Sequence, residues 1–447
     1  MRTLPTTLWL RGPLAVLALA SVVMVLRAPD ERTPWWGITQ SFLDVHVYRW
    51  GAEAVRAGVP LYEGLLWGPN ARFFAEMPFT YPPFAALLFQ PLPLLSEPLM
   101  MAGWATLTLG LLYLVVRMAF RALDYAPATV TRQVSLCLAL ICLSLEPVRT
   151  TVWLGQINII LLALVLADHL LSRLGPGHRF ARWRHLAGVG SGLAAGIKLT
   201  PAFFWAHWIV TGRWRLAVVS GVTFLATVAL GFAVIPSDAV RYWSGTVLES
   251  GRIAQDSVVS NQSLRGVIAR VLGVDAAPTA AWFVLAVLAA VVGLAMAALL
   301  HRAGHQLLAL TLSGMTMSVV SPFSWGHHWV WFVPLLVLAV HHAIAGRRWY
   351  LWLLPPLLWS ATAAWVQSFP NPDFPDDRWV AIGLFMLGGD IPPVIFGLIT
   401  NVYPLVWLVT VALAALLLRR ARRDGTRLRG YGTTDDSSPG AAGSGRG

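Results

Sequence analysis

Charged residues are scarce in this sequence: Asp, Glu, Lys and Arg make up 12% of its 447 residues. Soluble globular domains carry about 25% charged residues, so the composition excludes an ordinary soluble protein. Hydrophobic residues account for 57% of the chain, which includes 22 tryptophans. Many segments approach or reach the roughly 17 to 25 apolar residues that one transmembrane helix requires. The sequence therefore predicts an integral membrane protein.

Cysteine and the common catalytic motifs are also lacking. Cys137 and Cys142 are the only cysteines, and they lie five residues apart in one apolar segment, which favours neither a disulfide nor a metal site. The sequence contains no Walker loop, no HExxH helix, no Gly-x-Ser-x-Gly elbow and no DxD motif. Nothing in it therefore indicates a soluble nucleotide-sugar domain, and we expect neither a cofactor nor a bound metal.

The few charges are unevenly distributed along the chain. The formal net charge is +12, and most arginines lie in short clusters between apolar segments and near the C-terminus. Nucleic-acid binding would also explain an excess of positive charge, but clusters in this position are typical of cytoplasmic loops under the positive-inside rule. We therefore expect membrane lipids, and not nucleic acid, as partners, and both termini in the cytoplasm.

The apolar segments predict an all-α polytopic protein of the plasma membrane with about twelve transmembrane helices. Their expected positions are 8–28, 98–120, 133–149, 155–172, 186–200, 201–212, 214–235, 280–300, 305–320, 329–345, 349–366 and 402–420. The first is interpreted as a retained signal anchor. The proline-rich segment 81–95 is interpreted as re-entrant or interfacial. Residues 1–420 then form one domain, and residues 421–447 are predicted to be a disordered cytoplasmic tail.

Three glycines, Gly188, Gly192 and Gly196, recur every four residues in one apolar segment. The GxGxxG spacing of a dinucleotide-binding loop is not met. Small residues at this spacing allow two membrane helices to approach closely, so we expect tight helix packing here.

On this topology the long connections 29–97, 236–279 and 367–401 face outward, and the first contains the stretch FLDVHVYRWG. If this stretch and the residues that follow it form a helix, their charged side chains fall on one side of that helix. The charged side carries His46, Arg49, Glu53 and Arg56. Asp44 falls with Tyr48 on the apolar side of the resulting amphipathic helix, which we expect at the membrane surface. Asp44 is either only an N-cap for free backbone amides or a functional carboxylate.

Polar residues recur at the predicted outer ends of later spans. They are Tyr81, Glu146, Arg149, Gln156, Asn158, Lys198, Asn261, Arg265, His327 and His328. Each has a structural alternative: a lysine can snorkel to the interface, amides can join helices, and histidines beside tryptophan can be interface residues. Because several separate outer turns supply such groups while most inner loops supply only arginine, we favour an external polar cavity.

The sequence resembles glycosyltransferase family 87 in the ordered segments FLDVHVYRWG, VPLY, PFTYPPFAALLFQPLP, GQINI, GIKLTP, SNQSLRG and SPFSWGHHW, over about residues 8–420. Members of this family are GT-C type enzymes of actinobacteria that use polyprenyl-phosphate mannose to build phosphatidylinositol mannosides and lipomannan. The resemblance implies a GT-C fold, a polyprenyl-phosphate sugar donor and a glycolipid acceptor on the extracytoplasmic face. It leaves the sugar open, because arabinofuranosyl transfer from polyprenyl-phosphate arabinose is attributed to the same family.

The family's catalytic acid lies in the first extracytoplasmic loop, where the matching residue is Asp44. By the family's pattern a β-linked lipid phosphate gives an α-linked product, so the resemblance implies inversion by single displacement. Asp44 is then the general base that takes the proton from the acceptor hydroxyl. The predicted ligands of the donor phosphate are Lys198, Arg149, Arg265, His327 and His328. The predicted ligands of the sugar or acceptor are Tyr81, Gln156, Asn158 and Asn261.

A transporter or flippase for a polyprenyl-linked sugar is the main alternative from another class, because a multi-span bundle with an external polar pocket would also serve it. Transporters tend to show internal repeats and broken helices near the membrane midplane. The sequence shows no convincing repeat of one half in the other, and its polar groups cluster at one face. These features favour the enzyme.

Overall fold

The computed structural model describes residues 2–4, 8–26, 42–64, 78–249, 254–346, 348–369, 378–388 and 390–423. The helices are α1 (Leu8–Leu26), α2 (Leu43–Ala57), α3 (Pro83–Leu88), α4 (Glu97–Ala122), α5 (Thr129–Cys142), α6 (Glu146–Leu154), α7 (Asn158–Ser172), α8 (Val189–Ile197), α9 (Phe203–Val210), α10 (Trp214–Val234), α11 (Pro236–Ser244), α12 (Leu264–Leu272), α13 (Thr279–Arg302), α14 (Gln306–Val320), α15 (Phe332–Ala345), α16 (Leu354–Thr362), α17 (Pro393–Ile399) and α18 (Val402–Arg423). Strands β1 (Ala364–Phe369) and β2 (Arg378–Gly383) pair antiparallel. Short 3-10 segments include Leu92–Leu94, Thr200–Ala202, Gly326–Trp329 and Leu384–Met386.

Within the described residues, four helices are long and apolar enough to cross a membrane: α4, α10, α13 and α18. They match predicted spans, and they support the assignment to the membrane class. The pair α6 and α7 passes the same test together but is bent by 115°, which would give a fifth span. Other predicted spans correspond to shorter helices, such as the 14-residue α15. At about 1.5 Å per residue such a helix is shorter than a hydrocarbon core of about 30 Å, so twelve full-length spans are not confirmed.

Two predicted spans are divided in the structure. The span 133–149 separates into α5 and α6, because Pro147 lacks an amide hydrogen and lies in the first turn of a new helix. The span 349–366 ends in strand β1. The described chain is mostly helical, in agreement with the all-α prediction, and the hairpin of β1 and β2 is a small addition to it. Its tryptophan, valine and isoleucine residues are types that favour strands.

The predicted amphipathic helix is present as α2, and its charged side contacts the chain that leads from α3 to α4. His46 Nε2 lies 3.2 Å from Glu97 Oε1, and an Arg56 guanidinium nitrogen donates to Gln90 O at 2.7 Å. On the opposite side, Tyr48 is fully buried. The charged side of α2 therefore binds groups of the protein itself.

The glycines of α8 face α10, as their spacing predicts. A Cβ atom on Gly192 would lie 2.5 Å from the carbonyl oxygen of Ser220, and one on Gly196 would overlap the Thr227 side chain. Only glycine permits so close an approach. At the other end of the chain, residues 421–423 of the predicted tail continue α18, and residues 424–447 lie outside the described residues.

Candidate active site

A cavity of about 1200 Å³ lies between α2, α6, the end of α8, α14 and strand β2. Typical small-molecule pockets occupy roughly 300–1,000 Å³, so this cavity has room for more than one small substrate. Most of the residues predicted from the sequence line it, namely Asp44, Tyr81, Arg149, Gln156, Lys198, His327 and His328. The fold thus brings together side chains from the first loop and from three later turns.

Asp44 lies in the first turn of α2, two residues after the N-cap. The N-cap position is occupied by Phe42, whose φ of 41° is in the left-handed region and whose side chain makes no capping bond. The Phe42 amide donates to Trp153 O at 2.9 Å, which fixes the start of α2 to the end of α6. The interpretation of Asp44 as an N-cap is therefore wrong, and its carboxylate lines the cavity instead.

A chain of hydrogen bonds leads from Asp44 into the protein. The Tyr81 hydroxyl donates to Asp44 Oδ1 at 3.5 Å, and Gln156 Nε2 donates to the Tyr81 hydroxyl at 3.2 Å. The Tyr48 hydroxyl in turn donates to Gln156 Oε1 at 2.7 Å. From the sequence, Tyr48 is predicted only to lie on the apolar face of the helix that carries Asp44. Its spacing of four residues from Asp44 on the same helix is the signal that places it here.

The carboxyl group of Asp44 is half-buried in the cavity wall. Burial raises its pKa above the ordinary range of aspartate, while the positive charge of Lys198 and the hydrogen bond from Tyr81 oppose this effect. Burial dominates because it removes the water that would stabilise the charged form. A carboxylate with a raised pKa accepts a proton more readily than an exposed one.

Lys198 follows the last residue of α8 and is the only lysine of the chain. Its Nζ atom donates to Asn158 Oδ1 at 3.2 Å and lies 3.0 Å from His328 Nε2. The same atom lies 5.7 Å from the centre of the Tyr81 ring. The ammonium group therefore lies between the 3-10 segment Gly326–Trp329 (the histidine turn) and the hydrogen-bonded network of Asp44.

His327 and His328 belong to the 3-10 segment Gly326–Trp329. Burial, followed by the nearby charge of Lys198, lowers the pKa of both imidazoles well below the usual value, so both are neutral near pH 7. Asn158 Nδ2 donates to the His327 carbonyl at 2.8 Å and ties this turn to α7. His327 Nε2 is buried and has no hydrogen-bond partner within the described residues. A buried polar atom of this kind in a cavity wall is available to a bound ligand.

Glu146 and Arg149 of α6 add a second carboxylate and a second cation to the cavity wall. The Tyr403 hydroxyl donates to Glu146 Oε2 at 2.7 Å, and Thr150 Oγ1 donates to Glu146 Oε1 at 2.9 Å. A Cβ atom on Gly326 would lie 2.6 Å from the same carboxylate. Glu146 therefore connects α6 with the start of α18 and with the histidine turn. No sequence pattern indicates Tyr403, which lies 257 residues further along the chain.

Asn261 and Arg265 lie outside the lining of the cavity. Asn261 Oδ1 accepts a hydrogen bond from the Ser324 amide at 3.1 Å, and Asn261 forms an isolated bridge with Trp325. Arg265 Nε pairs with Asp256 Oδ2 at 2.8 Å. The Asn261 contacts hold the segment before α12 against the turn that carries the histidines. The Arg265 pair joins α12 to the loop that precedes it. Asn158 likewise lies behind the lining, beneath Lys198 and His327.

The lining residues suit one kind of chemistry. A carboxylate of raised pKa can remove a proton from a hydroxyl, while a lysine ammonium and imidazole donors can stabilise a phosphate as it leaves. In the part of the chain that the structure describes, no three His, Cys, Asp or Glu side chains converge as metal ligands. Cys137 and Cys142 are both free.

Comparison with known proteins identifies relatives over most of the chain. Residues 79–322 match the model of glycosyltransferase family 87. A polyprenol-phosphate-mannose-dependent alpha-(1-2)-phosphatidylinositol pentamannoside mannosyltransferase of Mycolicibacterium smegmatis is 34% identical over 341 residues, which cover 74% of this chain and 78% of the relative. A polyprenol-phosphate-mannose-dependent alpha-(1-2)-phosphatidylinositol mannoside mannosyltransferase of the same organism is 35% identical over 367 residues, 78% of each chain. A pentamannoside mannosyltransferase of Mycobacterium tuberculosis is 32% identical over 379 residues, which cover 78% of this chain and 83% of the relative. No solved structure matches the chain.

Proposed function

Since the chain belongs to glycosyltransferase family 87, we propose that it transfers mannose from polyprenol-phosphate mannose to a phosphatidylinositol mannoside or lipomannan-type glycolipid. The activities of its relatives, at 32% to 35% identity, support this donor and the phosphatidylinositol mannoside acceptor. One observation of the structure carries the mechanism: the carboxylate of Asp44 and the ammonium of Lys198 line the same cavity and interact electrostatically.

In the proposed reaction Asp44 acts as the general base. Its carboxylate takes the proton of the acceptor hydroxyl as the hydroxyl oxygen forms a bond to the anomeric carbon of the donor sugar. The bond between that carbon and the phosphate oxygen breaks, and its electron pair leaves with the lipid phosphate. This single displacement inverts the anomeric configuration, and the raised pKa of Asp44 suits the proton transfer.

Lys198 stabilises the negative charge that collects on the departing phosphate. His328 orients the ammonium group through the 3.0 Å contact with Nζ, and His327 offers its unpartnered Nε2 atom to a phosphate or hydroxyl oxygen. Arg149 supplies a second cation in the cavity wall. Preorganised donors of this kind contribute more in a cavity than they would in water. Because Arg265 and Asn261 lie outside the lining, we assign Asn261 to holding the wall and Arg265 to holding the loop before α12.

The remaining lining residues suit the other parts of the two substrates. Tyr81 and Gln156 are hydrogen-bonding groups next to Asp44, where the reacting sugar would lie. Apolar side chains form another part of the wall, including Phe203, Met317, Val320 and Phe323. This part suits the first prenyl units of a polyprenyl phosphate. The cavity volume accommodates a sugar phosphate together with the terminal sugar of an acceptor.

The proposal includes an orientation in the membrane. Positively charged loops and both termini face the cytoplasm, and the cavity opens toward the extracytoplasmic face of a bundle of about twelve helical segments. The arginine clusters between apolar segments support this orientation.

The test is product analysis with purified protein in detergent, to which polyprenyl-phosphate mannose and polyprenyl-phosphate arabinose are offered side by side with a phosphatidylinositol mannoside acceptor. We expect transfer of mannose and an α-linked product. Transfer of arabinose alone would replace the donor in the proposal and leave the roles of Asp44 and Lys198 in place. A flippase has no output in the absence of sealed vesicles, so failure to transfer either sugar would contradict the enzymatic proposal.

A further inference from the structure

Asp168 is a buried carboxylate that the proposed mechanism does not use. It lies on α7, and 4% of its surface is exposed. Its oxygens accept hydrogen bonds from Gly190 N at 3.3 Å, from Ser191 N at 2.6 Å and from Ser191 Oγ at 2.8 Å. All three donors belong to the first turn of α8. Burying a carboxylate is costly unless hydrogen bonds compensate, and a helix N-terminus supplies both donors and a favourable dipole.

Helix α8 has no side-chain cap of its own, because its N-cap residue is Gly188. Asp168 therefore provides from the neighbouring helix the oxygen atoms that Ser, Thr, Asn or Asp usually provides at the N-cap position. A Cβ atom on Gly190 would lie 2.7 Å from the carbonyl oxygen of Leu164, so the start of α8 also packs closely on the backbone of α7. The N-terminal end of α8 is thus fixed to α7 by the hydrogen bonds to Asp168 and by the close packing at Gly190.

The C-terminal end of α8 carries the cation of the proposed site. The helix has nine residues and a length of roughly 13 Å, and Lys198 follows directly. Lys198 Nζ donates to Asn158, which is the first residue of α7. The two helices are therefore joined at both ends, by Asp168 at one and by Asn158 at the other. Because so short a helix moves as a rigid unit, a displacement of its start moves Lys198 as well.

We propose that Asp168 is a positioning residue for the donor phosphate: by capping α8 from α7 it sets where Lys198 lies in the cavity. This inference rests on the proposed function, in which Lys198 binds that phosphate. A purely structural role would affect folding whether or not Lys198 is present. The positioning role requires that the effect of Asp168 on phosphate binding disappear when Lys198 is removed.

Binding of a polyprenyl phosphate to the full-length protein in detergent tests this requirement without the transfer reaction. Asp168→Asn keeps one acceptor oxygen and turns an amide NH2 group toward the donors of α8, so we expect the Kd to rise about tenfold. In a Lys198→Ala background the same substitution should change the Kd by less than about twofold, because contributions that act through one group are not additive. Asp124→Asn is the matched control, since this exposed carboxylate after α4 pairs with Arg173 at 3.1 Å and should not affect binding.

An equal loss of affinity in both backgrounds would overturn the inference, and so would an unchanged Kd for folded Asp168→Asn. If that variant does not fold, Ser191→Ala takes its place. It removes only the hydroxyl donor and should raise the Kd about threefold, again only when Lys198 is present. If the unaltered protein binds polyprenyl phosphate but transfers no mannose, the proposed function fails while the binding data still decide the role of Asp168.

Discussion

The Nζ atom of Lys198 lies 3.0 Å from the Nε2 atom of His328. A charged ammonium group donates hydrogen bonds and accepts none, so Nε2 is the acceptor and the ring proton is on Nδ1. The lowered pKa of His328 agrees with this neutral form. His328 therefore orients the cation and adds no charge of its own.

Replacement of His328 by alanine should raise the KM for the donor about tenfold, because hydrogen bonds to charged groups contribute about 1.5–3 kcal/mol. The turnover number should fall less, since the ammonium group is retained. Lys198→Ala removes the charge itself and should lower kcat/KM about 10²–10³-fold. Steady-state kinetics with varied donor measures both effects. A larger loss for His328→Ala than for Lys198→Ala would contradict these roles.

Amine-specific acylation should inactivate the protein, because Lys198 is its only lysine. Saturation with a polyprenyl phosphate should slow the inactivation, since the bound phosphate would cover Nζ. The rate of loss of transfer activity and mass analysis of the peptide that contains Lys198 measure the two effects. Lys198→Arg provides the control: its remaining activity should resist the reagent, because only the α-amino group can then react. Inactivation without acylation of Lys198 would disprove the prediction.

The place of Asp44 and Lys198 in the cavity wall is predictable from the sequence, because an isolated ionisable side chain within an apolar segment is costly unless it serves a site or a partner. Their roles in catalysis stay predictions. The sequence cannot indicate Tyr403 in the same way. Its hydroxyl meets Glu146 only after helices far apart in the chain have packed together. Asn261 shows the opposite case. An amide in a predicted outer loop suggests a ligand site, but in the structure Asn261 bonds to Ser324 and bridges to Trp325.

The lengths of the spans are less predictable than their existence. Hydropathy detects an apolar segment, but it does not show that a turn and then Pro147 divide 133–149 into two helices. The hairpin of β1 and β2 is missed for a related reason. A short apolar run with aromatic and β-branched residues satisfies helix and strand patterns alike, and the fold decides between them.

Asp44→Asn should lower the rate of transfer about 10²–10⁴-fold, the usual contribution of a general base. Binding of the donor should change little, because the amide has nearly the same shape and Lys198 is retained. Transfer of radiolabelled mannose and binding of a polyprenyl phosphate measure the two quantities. Glu53→Gln is the matched control on the same helix, since Glu53 pairs with Arg49 on the opposite side of α2. Near-normal transfer by Asp44→Asn would remove Asp44 from the role of base.

Gly196→Ala should destabilise the protein by about 1–3 kcal/mol, because the added methyl group overlaps Thr227 across the contact of α8 and α10. Gly221→Ala is the control within α10 itself. A Cβ atom on Gly221 meets nothing within 4 Å, so this change should be neutral or slightly stabilising through helix propensity. Thermal unfolding in detergent compares the two variants. Equal midpoints would show that the close approach of the two helices does not contribute to stability.

Tyr81→Phe should shift the acid limb of the pH profile of kcat/KM to higher pH. Asp44 must be deprotonated to act as base, so activity falls as the pH falls through its pKa, which burial holds above the ordinary aspartate value of about 3.9. The Tyr81 hydroxyl donates to the charged form and lowers that pKa, as does the positive charge of Lys198. Loss of the hydroxyl therefore favours the protonated form and raises the pH at which activity is half-maximal. Tyr242→Phe is the control, because it alters another tyrosine of the cavity wall and should leave the acid limb in place. A shift of the Tyr81→Phe acid limb to lower pH would contradict the role of Asp44 as the titrating base.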